Sequence, residues 1–257
     1  MDILETIVAH KRVEVANQKE AVPLDLMLSM GLQRLSRPTI SMRHALEQST
    51  SGIIAEFKRR SPSKGWICPQ AKVDDVIPAY VKNGAAACSV LTDSLFFGGS
   101  FTDLQRARAL VRLPLLRKDF MIDEYQIYQS RILGADVILL IAAVLTKDLC
   151  RKLAAVAHQL EMEVLLEVHH ENELSYMNEH VDMLGVNNRH LGTFHTDIAH
   201  SFRMIKYIQS EIGTGTDAPV PVSESGLSTL QEIAGLRDVG YRGFLIGETL
   251  MKQIQMR

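Results

Sequence analysis

Residues 135–168 read ADVILLIAAVLTKDLCRKLAAVAHQLEMEVLLEV. Two short apolar runs, ADVILLI from Ala135 and EVLLEV from Glu163, flank an amphipathic segment over residues 146–160. The first run lacks polar alternation, as expected of a strand covered on both faces. The segment between has helical length and pattern, so the unit reads as strand, helical crossover and parallel strand.

The same alternation runs through the rest of the chain. Further strand candidates are GIIAEFK from Gly52, AACSVLT from Ala86, LPLLRKD from Leu113, MLGVNN from Met183, PVPVSES from Pro219 and GFLIG from Gly243. Helical patterns cover residues 73–83, 102–111, 122–133, 146–160, 170–178, 196–212 and 227–239, with Asp103 and Thr146 as helix-start residues. Eight strand candidates in 257 residues suit a closed (β/α)8 TIM barrel of the α/β class better than an open doubly wound sheet. No G-x-G-x-x-G follows the first strand, which argues against a dinucleotide fold. No linker divides the chain, so one domain is expected over 1–257: an N-terminal helical extension over 1–50 and the barrel over 51–257. In the extension, Ile3, Ile7, Val13 and Val15 suggest one helical stripe, and a short helical piece follows around residues 42–47.

Composition removes several function classes. The 28 basic and 30 acidic residues nearly cancel, without a Lys/Arg block, so no nucleic-acid partner is expected and any anion must be held locally. Cys68, Cys88 and Cys150 are far apart and read as reduced thiols of a cytoplasmic protein, bacteria being the natural setting. The N-terminus lacks the apolar run of a signal peptide, and the longest apolar stretch, residues 138–145, is too short to span a bilayer, so no membrane association is expected. The histidines, His169, His170, His180, His190, His195 and His200 among them, do not recur at ligand spacing. They suggest surface or supporting roles rather than a metal site.

Active sites of such barrels lie at the C-terminal ends of the strands, and there this chain collects charge. The first strand ends in Glu56 and Lys58, the third in Lys118 and Asp119, the fifth in Glu167, the sixth in Asn187, Asn188 and Arg189, and the seventh in Ser223, Glu224 and Ser225. Alternation puts Glu56 and Lys58 on one face and Ala55 and Phe57 on the other. A lysine in a low-dielectric mouth can have its pKa lowered enough to act as an acid near neutral pH. Burying so much charge without use costs several kcal/mol, which favours a catalytic reading over a structural one. Asp119 is the exception, reading as a partner of Lys118 or a helix cap. Trp66 either lines or shields the mouth. Gly226, before a helix expected at Leu227, and Gly247, before the terminal helix, put backbone N–H groups where a phosphate can be held.

With these positions identified, the chain resembles the indole-3-glycerol phosphate synthase family nearly end to end. The resemblance rests on EFKRRSPSKG from Glu56, SVLTD and FFGGS between Ser89 and Ser100, LRKDF and YQIY between Leu116 and Tyr128, GADVILLI from Gly134, LLEVH from Leu165, GVNNR from Gly185, SESG from Ser223 and LIGETLM from Leu245. It implies a small phosphorylated substrate, 1-(2-carboxyphenylamino)-1-deoxyribulose 5-phosphate. That substrate closes its ring and loses carbon dioxide and water to give indole-3-glycerol phosphate, a step of tryptophan biosynthesis. No metal or organic cofactor is implied, and monomer is the common form.

By the same resemblance, Lys118 is the general acid at the attacked carbonyl and Glu167 moves protons at the cationic intermediate. Lys58 holds the substrate carboxylate or phosphate, or else donates the dehydration proton with Glu56 as partner base. Asn187 orients hydroxyls, supported by Arg189, while Glu224 and Ser225 complete the polar wall. Ser61 and the backbone at Gly226, Gly247 and Glu248 meet phosphate, and Phe97 and Phe120 enclose the aromatic ring. Two departures stand out. His190 occupies a position where the family usually has an acid, and the chain stops at Arg257, leaving a short eighth helix and an expectation of weaker closure. A phosphate-binding barrel isomerase and a catalytically silent sugar-phosphate binder are the rival readings. LRKDF and LLEVH argue against the first, and retention of Lys118 and Glu167 against the second.

Overall fold

The computed structural model describes residues 3–190, 192–215 and 217–255. Among them, eight parallel strands close into a barrel: β1 (Ile53–Phe57), β4 (Ala87–Leu91), β5 (Leu115–Lys118), β6 (Val137–Ile141), β7 (Glu163–Val168), β8 (Met183–Asn187), β9 (Val220–Glu224) and β10 (Gly243–Ile246). β2 (Arg60–Ser61) and β3 (Gly65–Trp66) form a small antiparallel ladder in the loop after β1. The ring is complete because β1 pairs with β10 on one side and β4 on the other.

Strand parity builds two cores. Leu116, Leu139, Leu165, Met183, Val222 and Leu245 fill the inside of the ring. Residues of opposite parity, such as Leu115, Ile138, Val164, Leu166 and Leu184, pack outward under the helices. The order of the chain dictates where the charges go. Counting by two from Ile54, Leu116, Leu165, Met183 and Val222 leads to Glu56, Lys118, Glu167, Gly185 then Asn187, and Glu224, all on the inner face at the C-terminal ends.

The outer layer is α4 (Val73–Lys82), α5 (Phe101–Leu110), α6 (Glu124–Leu133), α7 (Lys147–Gln159), α8 (Ala199–Glu211), α9 (Leu230–Asp238) and α10 (Glu248–Gln255). Thr146 caps α7 as expected, accepting from the Leu149 N–H. At α5 the cap is Ser100 rather than Asp103. Asp103 instead sits in the first turn and accepts from the Ser100 hydroxyl. The expected helix over 170–178 is a 3-10 helix, Glu171–Tyr176, and the helices expected at 196 and 227 begin at Ala199 and Leu230. α10 is short, yet its Met251 is fully buried and lies 3.2 Å from the Tyr80 hydroxyl beneath β1, and β10 pairs with β1 to complete the ring.

The extension holds two helices where one was expected, α1 (Ile3–Ala21) and α2 (Leu24–Leu35), separated by Val22 and Pro23, followed by α3 (Met42–Gln48). α3 plugs the N-terminal end of the barrel with Met42 and Leu46. Its first turn is anchored by the Glu163 carboxylate, which accepts from the Met42 and Arg43 N–H groups, a favourable use of negative charge at a helix start. α1 lies at the opposite end. Its buried stripe is Ile7, Val8, Lys11 and Val15, while Val13, expected inside, is exposed.

Candidate active site

The mouth of the barrel is a cavity of about 550 Å³. All the residues singled out as catalytic or substrate-binding line it: Glu56, Lys58, Ser61, Phe97, Lys118, Phe120, Glu167, Asn187, Arg189, Glu224, Ser225, Gly226, Gly247 and Glu248. Ile3, Leu4 and Ile7 of α1 join them. Ile3 and Ile7 belong to the helical stripe expected from the sequence, but neither they nor Leu4 were expected in the site. Only contact with the distant mouth gives that stripe a role beyond core.

Two charge groups stand on the cavity floor. Lys118 Nζ is 3.0 Å from Glu167 Oε2 and 2.6 Å from Glu224 Oε2, and Lys58 Nζ is 2.5 Å from Glu56 Oε1. Gly185 and Gly247 make room for these carboxylates. A Cβ at Gly185 would overlap Glu224 Oε1, and one at Gly247 would overlap Glu56 Oε1 and crowd Lys58 Nζ at 3.1 Å. Asn187 ties the floor to the wall: its Nδ2 donates to Glu167 Oε1 at 3.0 Å, and its Oδ1 accepts from the Arg189 N–H at 3.0 Å. The second bond fixes which end of the amide faces Glu167. The Arg189 guanidinium donates to Ser63 Oγ and the Phe194 carbonyl, joining the loops after β1 and β8.

Three carboxylates share two ammonium groups, and the proton affinities follow from that shortage. Burial alone would lower the Lys118 pKa, but Glu167, Glu224 and Glu56 outweigh it and hold Lys118 above its ordinary value. The expected lowering of a mouth lysine therefore fails for Lys118, because desolvation is overcompensated by opposite charge. Burial also opposes ionisation of Glu167, yet Lys118, His169 and Asn187 keep it well below the usual carboxylate range. Glu224 bears the imbalance. Burial, with the charges of Glu167 and Glu56, outweighs Lys118 and pushes it up to about 7.

Phe97 and Phe120 form an aromatic pair, with ring centroids 6.0 Å apart and planes tilted by 39°, suited to one side of a flat ring. On the opposite wall, Ser225 and Gly226 adopt φ of 69° and 79°. A side chain at Gly226 would be strained there and would meet Thr196 Cγ2. Gly226 lies in a loop, since Thr229 and Glu232 cap α9 themselves. Its expected position at a helix start is thus corrected. Gly247 directly precedes α10, whose first-turn N–H groups have no intrahelical partner.

Several further expectations resolve here. Asp119 pairs with Lys11 and Arg117 rather than with Lys118, because it has outward parity. Trp66 is mostly exposed beside Arg60 and does not line the cavity. The His190 ring accepts from the Gly192 and Thr193 N–H groups, so it closes its loop as a carboxylate would. His169, expected on the surface or in support, is buried 3.5 Å from Glu167 Oε1. Among the described residues no group of three or more His, Cys, Asp or Glu is placed to hold a metal ion, and no helix is long and apolar enough to cross a membrane.

Known proteins share this sequence and fold. The model of the family described as indole-3-glycerol phosphate synthase matches residues 4–257. A protein of that name from Bacteroides thetaiotaomicron is 51% identical over 254 residues, covering 99% of this chain and 94% of its own. Namesakes from Prochlorococcus marinus (strain MIT 9215) and Chromobacterium violaceum are 41% and 39% identical, covering 98% and 99% of this chain and 85% and 94% of theirs. Among solved structures, N-acetylmannosamine-6-phosphate 2-epimerase from Clostridium perfringens aligns with a TM-score of 0.58 at 13% identity, over 86% of this chain and 96% of that one. That likeness concerns the barrel alone. The match along almost the whole sequence makes this chain a member of the indole-3-glycerol phosphate synthase family.

Proposed function

We propose that the chain is a carboxy-lyase of L-tryptophan biosynthesis. It closes the indole ring of 1-(2-carboxyphenylamino)-1-deoxyribulose 5-phosphate, with loss of carbon dioxide and water, to give indole-3-glycerol phosphate. The observation that carries this reading is the Lys118 ammonium gripped by Glu167 and Glu224 on the floor of a cavity with an aromatic pair on one wall and a free helix start on another.

The substrate lies with its aryl ring against Phe97 and Phe120 and its phosphate toward Ser61 and the backbone at Gly226, Gly247 and Glu248. Its ketone then faces Lys118. The ring carbon bearing the carboxylate attacks the ketone carbon while Lys118 donates a proton to the ketone oxygen. Loss of carbon dioxide restores the ring's aromaticity. Lys58, paired with Glu56, gives its proton to the departing hydroxyl, and the Glu167 carboxylate takes the proton released as the cationic intermediate becomes indole. Glu167 returns that proton to the Lys118 amine, its neighbour at 3.0 Å, and Lys58 regains its own from solvent, which supplies the one proton the overall reaction consumes. Asn187 holds Glu167 in line with Arg189 behind it, and Ser225 completes the polar wall beside Glu224. The reading extends to a monomeric protein in the cytoplasm, folded as one unit over 1–257, acting without a metal or organic cofactor.

The experiment is direct. Purified protein given the carboxyphenylamino deoxyribulose phosphate should produce indole fluorescence. Retained phosphate-ligand binding with no turnover would favour the silent binder instead.

A further inference from the structure

A second buried charge cluster lies behind the aromatic wall. Lys11 of α1 is completely buried, yet its Nζ is 2.9 Å from Glu14 Oε2, 3.0 Å from Asp93 Oδ2 and 2.9 Å from Asp119 Oδ1. Asp93 and Asp119 are themselves fully enclosed, and each governs a loop. Asp93 Oδ1 accepts from the Phe96 N–H at 2.8 Å, and the Gly99 N–H donates to the Asp93 carbonyl at 2.8 Å, bracketing the turn that presents Phe97. Asp119 Oδ1 accepts from the Phe120 N–H at 2.8 Å, while its Oδ2 is held by Thr92 and Arg117. One ammonium thus connects three separate segments: the helix that contributes Ile3, Leu4 and Ile7 to the cavity, the turn carrying Phe97, and the turn carrying Phe120. His10 packs edge-on against Phe96 in support, with ring centroids 5.7 Å apart.

We infer that Lys11 is a positioning residue for the aromatic subsite, setting the separation of Phe97 and Phe120 through Asp93 and Asp119. The placement follows from sequence spacing. Ile3, Ile7 and Lys11 recur every four residues, so the stripe that roofs the cavity continues directly into the cluster. An apolar residue at position 11 would bury equally well. It would leave the enclosed Asp93 without its cation and Asp119 with Arg117 alone, however, so Asp93 would turn toward water and carry the Phe97 turn with it, while the Asp119 Oδ1 that accepts from the Phe120 N–H would lose its ammonium partner. Lys118 is paired with Glu167 and Glu224, whereas Lys11 is paired with Glu14, Asp93 and Asp119, so the loss should fall on binding of the aryl end rather than on proton transfer.

This inference rests on the proposed reaction, which wild-type turnover tests independently. Lys11→Met and Asp93→Asn are compared with wild type by steady-state kinetics and by calorimetric binding of the ketone-reduced substrate. Ribulose 5-phosphate, which lacks the aryl ring, serves as a control inhibitor. Lys11→Met should raise KM and the Kd of the reduced substrate roughly tenfold or more. Its kcat should stay within about threefold, its pH profile should be unchanged, and ribulose 5-phosphate should inhibit as in wild type. Asp93→Asn keeps the acceptor for the Phe96 N–H and should show a smaller shift in the same direction. If Lys11→Met does not fold, Asp93→Asn decides the matter. A folded variant with unchanged KM, or one losing affinity equally for both ligands, overturns the inference. Absence of wild-type turnover would instead sink the proposed reaction, leaving the binding comparison to judge Lys11.

Discussion

Replacing Glu224 by Gln should stabilise the protein, and by an amount that grows with pH. The carboxyl of Glu224 is raised from 4.5 to about 7. A group whose folded pKa is raised holds its proton more tightly in the folded state, so unfolding releases that proton between the two pKa values and stability falls as pH rises. Below pH 4.5 the group is protonated in both states and contributes nothing. At ~1.36 kcal/mol per pKa unit, the cost of ionising it grows to roughly 2 kcal/mol at pH 6 and roughly 3 kcal/mol at pH 8. Glutamine mimics the protonated acid, keeps an oxygen for Lys118 and escapes that cost. The exchange of a hydroxyl for an amide adds an offset, but the offset does not vary with pH. Urea unfolding of both proteins from pH 4 to pH 9 should therefore give a stability difference that rises through the neutral range and levels off above pH 8. A difference independent of pH, or one moving against the variant as pH rises, would refute the claim that the floor carries one carboxylate too many. Glu167 has the opposite sign: its lowered pKa contributes stability above pH 4.5 that is lost in acid.

Two further outcomes concern the chemistry. Lys118→Ala should lose about 10³-fold in kcat, within the range expected of general acid catalysis. A near-normal rate would remove Lys118 from the first step while leaving the other assignments standing. Lys58→Met should stall after decarboxylation, releasing carbon dioxide ahead of indole in a single turnover. Equal and simultaneous yields with a raised KM would make Lys58 an anion holder instead.

What the sequence made legible was periodic. Eight apolar runs separated by helical patterns are enough to infer a ring, and parity along each strand carries Glu56, Lys118, Glu167 and Glu224 to one inner face. Non-periodic features were harder. Helix starts at Ala199 and Leu230 were displaced because caps such as Thr229 lie within polar loops offering several equivalent donors and acceptors. Lys11 was invisible as a core residue because its partners, Asp93 and Asp119, are more than eighty residues away and only barrel closure brings them to α1. Asp119 was misassigned for a related reason. Adjacency to Lys118 suggests a pair, whereas alternation sends the two side chains to opposite faces. The direction of the Lys118 shift depended on counting carboxylates across three strands, which no local reading supplies.

That count bears on how so weak an acid could protonate the ketone in the proposed ring closure. Lys118 is held above its ordinary pKa, so it gives up a proton only as the accepting oxygen gains alkoxide character, or once an attracting carboxylate is neutralised. Substrate supplies the second condition. In the proposed reaction its carboxylate would enter a floor that already has three carboxylates for two ammonium groups, and Glu224, poised at about 7, is the group that can relieve the excess by taking up a proton. Protonated Glu224 no longer holds Lys118 by charge, and Lys118 becomes the stronger acid. The overall reaction needs such a proton, since converting a carboxylate to carbon dioxide consumes one. Calorimetric titration with the ketone-reduced substrate at pH 7.5, in buffers of different ionisation enthalpy, should therefore register uptake of between about half and one proton per site in wild type relative to Glu224→Gln. The comparison cancels any proton released by the bound phosphate. Equal proton balance in the two proteins would mean that Glu224 keeps one protonation state throughout, and that Lys118 is primed by the developing alkoxide alone.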